Sequence, residues 1–291
     1  MEQLKRLSLG FWICSLPSSV WLLVFFLVPL AFVWVLSFGE KRGLIDVEIS
    51  WTLVNYARAL DPLYLGVFVK SIWISSLTTL VCLFIGLPVA LGIVFSPPRW
   101  KPILLLLVIL PFWTNLLIRT YALIAVLRTQ GHLNGALEWS ADLVGLPFEP
   151  LALLYNNTSV VIGLVYVHFP FMVLPLYAAL DRMDRSFIEA ALDLGASQTR
   201  TFLSIIVPLA VPGIISGVIL VFIPALGSYL TPALLGGTDS QMIANVVERQ
   251  FKNANDWPFG SALSFLLMYV TFGALALRSV LVRGKGGVVV T

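Results

Sequence analysis

Charge is scarce in this chain, and the scarcity sets its class. Only 11% of the 291 residues are Asp, Glu, Lys or Arg, against roughly 25% in soluble globular domains, so the chain cannot clothe a water-soluble surface. A net charge of +3 without any run of basic residues excludes a nucleic-acid-binding surface. Cysteine is limited to Cys14 and Cys82 with no C-x-x-C spacing; neither a metal site nor a disulfide framework is indicated, and both read as small apolar packing residues. No G-x-x-x-x-G-K-[ST] occurs, and Gly284-Lys285-Gly286-Gly287 lacks both the spacing and the preceding strand of a phosphate cradle, so the chain does not supply an ATPase. Neither H-E-x-x-H nor G-x-S-x-G is present. The long apolar segments hold no Asp or Glu to pair as acid and base, which argues against a membrane enzyme.

What the chain has is apolar length, with 59% hydrophobic residues and a mean hydropathy of +0.95. One helical crossing of a bilayer takes about 20 apolar residues, and six segments qualify, at 16–37, 67–95, 102–127, 159–180, 208–235 and 259–280. The expected fold is all-α: a six-helix membrane domain over 16–281, an N-terminal segment 1–15 and a tail 282–291, with no internal repeat and no separate soluble domain. The first segment follows Lys5 and Arg6 but is too long for a signal-peptide core and lacks a small-residue cleavage site, so it reads as a retained anchor. Ten Lys and Arg fall on the side of the termini and six on the opposite side. Cytoplasmic loops carry the excess of basic residues, which places both termini and the loop 181–208 in the cytoplasm.

That loop is the most informative stretch. Ser186 followed by Glu189 reads as a capping box, and Gly195 supplies the left-handed position that ends a helix. Phe187, Ala190, Ala191 and Leu194 make a narrow apolar face about two turns long. So short a helix is marginal in water, so something outside the segment is expected to pack on it. On the other side, 51–62 and 241–256 read as short helices at the interface, the first through Leu53, Ala57 and Leu60, the second through Ile243, Val246, Val247 and Phe251. They cap the bundle, offer a landing surface, or both. The loop 128–158, with Gly131, Gly135, Pro147 and Pro150, reads as irregular.

Inside the spans, polar groups are expensive and need a reason. Lys70 stands near a span end and can snorkel. Arg119 lies well inside the third span, where it either satisfies the carbonyls of a broken helix or lines a transport route. His168 reads as an interhelical hydrogen-bonder or a ligand. Pro88, Pro111, Pro170, Pro175, Pro212, Pro224 and Pro232 are each expected to kink or break a helix, which favours a transporter over a plain anchor. Gly213 and Gly217 mark close helix packing.

Glu189-Ala190-Ala191, then Gly195, nine residues, Ile205 and Pro208 resemble the EAA loop of bacterial ABC-transporter permease subunits, with Val207 where that family has Leu. LPFWTNLLIRTYAL at 110–123, LLGG at 234–237, DWPFG at 256–260 and WTLVNYARALDP at 51–62 resemble the spermidine/putrescine (polyamine) branch. The resemblance implies a multi-pass inner-membrane permease working with a second, usually non-identical permease, a cytoplasmic ABC ATPase dimer that binds the ATP and Mg, and a periplasmic solute-binding protein. It also implies that Glu189, Ala190, Ala191 and Gly195 couple to the ATPase. Relatives with similar motifs carry opines and other small amino compounds, and a passive channel is the other alternative. A polycation needs favourable partners that spans free of carboxylate do not give. Aromatic faces contribute about 0.5–2 kcal/mol per ammonium, so Trp113, Tyr121, Tyr166 and Phe169, with Arg119 and His168, are the candidate pathway residues.

Overall fold

The computed structural model describes residues 15–43 and 46–285, with side chains through Gly273. Cys14, most of the N-terminal segment and the end of the tail from Gly286 onward lie outside the described residues. The chain divides into two compact units, one formed by 1–65 with 246–291 and the other by 66–245.

Among the described residues four helices are long and apolar enough to cross a bilayer: α1 (Ser15–Leu36), α3 (Pro62–Phe95), α7 (Asn157–Leu180) and α9 (Gln198–Leu226). One further helix pair meets that length and composition only when its two parts are taken together, and it is bent. α4 (Lys101–Ile109) runs on as a 3-10 turn to Trp113, and the helix that follows it from Leu116 is turned by 95°. The segment expected as one span at 102–127 is thus broken, and its residues show why: Pro111 withholds an amide, and Asn115 restarts the helix by accepting from Leu117 N at 2.8 Å. α5 (Leu116–Leu127) follows. α12 (Trp257–Lys285) is apolar over Trp257–Gly273.

Elsewhere the prolines do not break their helices. Pro88, Pro170, Pro175, Pro212 and Pro224 lie within continuous helical segments. Pro232 sits in the first turn of α10 (Leu230–Leu235), where a helix amide has no partner to lose. The span expected at 208–235 accordingly ends at Leu226, and α10 is separate. It also begins earlier, at Gln198, with a π-helical stretch over Phe202–Ile206.

The loop 128–158, read as irregular, holds α6 (His132–Val144), which Gly145 ends at φ 70°. Buried Asn134 fastens the loop, donating to Thr129 O and Leu151 O at 3.0 Å each and accepting from Leu151 N at 2.9 Å.

In the second unit the centre is the seam between α7 and α9. Gly213 lies against Pro175 and Ala179, and Gly217 against Met172. Cys82, Ala90, Ile93 and Val94 of α3 pack with Met172, Val173, Leu176, Ala210 and Val221. Cys82 is fully buried there, as a packing residue. Lys70, expected to snorkel, donates from Nζ to Asp239 O.

The first unit contains the strand pair that an all-α reading did not expect, β1 (Gly39–Arg42) antiparallel to β2 (Asp46–Ile49), with Gly39 opposite Ile49. Next comes α2 (Val54–Ala59). Its inward residues are Asn55 and Ala59, while Leu53 and Leu60 are exposed. Asn55 Nδ2 donates to Gly39 O at 2.7 Å and fastens the helix to the strand. Arg58 pairs with Asp256 at 2.8 Å and stacks over Phe259 at 4.0 Å. α11 (Ile243–Lys252) begins in the second unit, where Ile243 is buried, and continues in the first, where Val246 is buried and Val247 and Phe251 are half-buried, the face its spacing foretold.

Candidate functional site

Two places in the second unit carry polar chemistry. The first is α8 (Ser186–Asp193), between α7 and α9. Its start is not the Ser186/Glu189 capping box. Ser186 is already helical, so its hydroxyl cannot serve as the cap; Asp184 Oδ1 accepts from Ser186 N at 2.9 Å instead. That backbone hydrogen bond holds the Asp184 carboxyl below its ordinary range. Glu189 is left with no cap to make and lies exposed in the first turn, where a carboxylate favours the helix dipole. At the other end Gly195, at φ 80°, lets Ala196 N donate to Ala191 O at 3.0 Å and Gly195 N to Leu192 O at 2.9 Å. This pair of bonds is a Schellman closure.

Both ends of α8 are thus satisfied from within the chain, but its sides are not. Ile188 turns inward to the core, whereas Phe187 is 55% and Leu194 is 89% exposed. Glu189 and Ala190 are exposed and Ala191 is half-buried. The apolar face expected from the sequence is present, and none of its residues is buried by the chain.

The second place lies between α5 and α7. Arg119 is 8% and His168 5% exposed. Arg119 Cζ stands 5.9 Å from the ring centroid of Phe112, whose ring meets Phe171 edge-on at 5.4 Å, and Phe171 lies 6.3 Å from His168. His168 Nδ1 donates to Leu164 O, one turn earlier on its own helix, at 2.9 Å. Arg119 Nε and Nη1 are buried with no partner among the described residues. A buried guanidinium with unanswered donors is costly and is therefore a candidate for function.

The other pathway candidates fall elsewhere. Tyr166 and Phe169 share a face of α7 and line an apolar cavity of about 800 Å³ with Val81, Ile85, Leu107 and Pro111. His168 points away from that face, since two residues on a helix are about 200° apart. Trp113 is 75% and Tyr121 58% exposed. The six residues thus form a buried pair, a cavity-lining pair and two outward aromatics. Sequence reasoning missed Phe112 and Phe171, which complete the setting of Arg119; Phe112 stands in the quoted LPFW, but nothing local ties it to α7. No cluster of His, Cys, Asp and Glu able to hold a metal occurs among the described residues.

Residues 63–282 match the family described as binding-protein-dependent transport system inner membrane component. The chain is 43% identical over 250 residues to the spermidine/putrescine transport system permease protein PotB of Escherichia coli K12, covering 86% of this chain and 90% of that one. It is 40% identical over 261 residues to the PotB of Haemophilus influenzae, covering 87% and 90%. Its fold is similar to that of a chain in the crystal structure of a bacterial alginate ABC transporter in complex with alginate pentasaccharide-bound periplasmic protein. That likeness has a TM-score of 0.75 at 16% identity and covers 99% of both chains.

Proposed function

The chain belongs to the family of binding-protein-dependent transport system inner membrane components, and from that premise we propose that it forms one half of the path of an ATP-driven importer of spermidine- and putrescine-type polyamines. The observation that carries the reading is α8, closed at both ends by its own chain yet presenting Phe187 and Leu194 to solvent. An apolar face left open on a preformed helix fits a cleft on another protein. We assign that protein as a cytoplasmic ABC ATPase dimer, which brings the ATP and Mg, with both termini of the present chain on the same side. Glu189, Ala190 and Ala191 stand on or beside the docking surface, and Gly195 fixes its end. The assembly is completed by a second permease subunit and a periplasmic solute-binding protein. The similarity to the PotB proteins supports the solute class, and the likeness to a transporter crystallised with its periplasmic protein supports the binding protein.

Polyamines are polycations, and the spans of this chain carry no carboxylate. Tyr166 and Phe169 offer π faces worth about 0.5–2 kcal/mol per ammonium. The second permease supplies the negative charge, and the outward Trp113 and Tyr121 are placed to face it. Arg119 keeps cations out of the α5–α7 interior. Its unanswered donors favour a second reading, a solute bearing a carboxylate beside its amine, such as an opine.

Uptake of labelled spermidine and putrescine by cells with and without this chain decides between the two. Loss of polyamine uptake on deletion is expected; unchanged polyamine uptake with loss of opine uptake overturns the first reading. For the docking surface, Glu189→Gln is expected to lower both transport and solute-stimulated ATP hydrolysis. If neither moves, α8 does not couple.

A further inference from the structure

The loop bearing α8 is tied to the rest of its unit by two polar contacts that the docking surface does not use. Val94 lies at the C-terminal end of α3, where helix carbonyls lack intrahelical partners. Its oxygen accepts from Arg185 Nη2 at 3.0 Å, and Arg185 Cζ stands 5.6 Å from the Phe95 ring centroid. The backbone of the same arginine opens α8, its carbonyl accepting from Ile188 N at 3.0 Å and Glu189 N at 3.1 Å. One residue therefore starts a helix with its main chain and grips the end of another with its side chain. Beside it, Asp181, which closes α7, accepts from Lys101, the first residue of α4, at 2.6 Å. α3 and α4 are joined by 96–100 alone, so the two grips hold the two ends of one short connection.

We propose that Arg185 and the Lys101–Asp181 pair are positioning residues that carry movement of α8 into α3 and α4. A load on α8 then drives four helices rather than the two, α7 and α9, to which the chain itself joins it. The inference rests on the reading of α8 as the ATPase dock. The chain between α7 and α8 is mostly exposed and gives little stiffness. A guanidinium on a helix-end carbonyl is a charge-assisted bond aligned with the helix dipole, and it transmits a pull that loose backbone does not.

The test uses the whole transporter, purified with its ATPase, partner permease and binding protein, and reconstituted into liposomes. If no ATPase co-purifies with the unaltered chain, the docking reading fails before any variant is made. In Arg185→Ala the ATPase is expected to co-purify as before while polyamine transported per ATP hydrolysed falls roughly 2- to 30-fold, the range for residues along a coupling route. Arg185→Lys, whose ammonium reaches the same carbonyl, recovers part of the loss. Lys101→Asp and Asp181→Lys each lower the same ratio, and the double exchange restores it. Three results overturn the proposal: an unchanged ratio in Arg185→Ala, loss of the ATPase from that variant, which makes Arg185 a support for docking only, or failure of the double exchange to restore what the single changes lose.

Discussion

In the seam between α7 and α9, Gly213 sits so close to α7 that a Cβ there would stand 2.7 Å from both Ala179 Cβ and Pro175 O. The helix that joins these two in sequence, α8, buries none of its residues. The seam is held by backbone approaching backbone, so it is sensitive to volume. α8 is held by capping bonds, by side chains reaching out from its margins and by half-buried Ile188, so its exposed face tolerates volume and is sensitive to the chemistry it shows. A transporter needs both: a stiff unit to move, and a handle whose surface is kept for another protein.

The largest effect is expected in the seam. Gly213→Val pushes methyl groups against the backbone of α7, which cannot yield, and is expected to cost about 1–3 kcal/mol or more. Thermal unfolding of the purified protein reads this as a clear drop in midpoint. Gly92→Ala sharpens the contrast, because a Cβ there meets nothing within 4 Å and alanine is the better helix former by about 1 kcal/mol. It should be neutral or stabilising; equal damage from both would show that helix glycines matter here for something other than approach.

At α8 the expectations reverse. Leu194→Asp alters a side chain that is 89% exposed, so the unfolding midpoint should stay put while co-purification of the ATPase falls at least about tenfold, near 1.4 kcal/mol. A lowered midpoint with intact binding would break the comparison. Gly195→Ala should act between these extremes, since alanine at φ 80° costs about 1–2 kcal/mol. The loss stays local and is read as faster amide exchange over 186–196, with α7 and α9 unchanged.

The sequence carried some of this contrast and not the rest. Gly195 was legible because a positive φ is a property of one residue. The close approach at Gly213 and Gly217 was legible from their spacing. The Ser186/Glu189 cap was misread because Asp184, two residues earlier, competes for the same amide and wins. α6 was lost behind Gly131 and Pro147, turn residues that here flank a helix rather than replace it. Arg119 and His168 were each singled out, but their meeting depends on the bend after Pro111, which no local pattern places in space. Conversely, the separation of His168 from Tyr166 follows from helical period alone and was available without a structure. Asn134, Arg185, Lys101 and Asp181 gave no signal, because a polar residue next to a turn looks the same whether it is solvated or fastens another helix.

The smallest effect belongs to the pair at the margin of α8. The hydrogen bond from Lys101 holds the Asp181 carboxyl below its ordinary value of 3.8. A carboxyl depressed by folding contributes stability at pH above its unfolded value and loses it as pH falls through the lower folded one. Lys101→Met keeps most of the stem and removes the charge, so its cost should be full at neutral pH and vanish in acid. With the two side chains 20% and 36% exposed, water screens the pair, and the cost is about 0–1 kcal/mol and shrinks with added salt. Unfolding midpoints of the two proteins followed from pH 7 downward should therefore converge. A gap that persists in acid would mean that the lysine stem, not its charge, holds the loop, and the margin of α8 would then obey the packing rule of the seam.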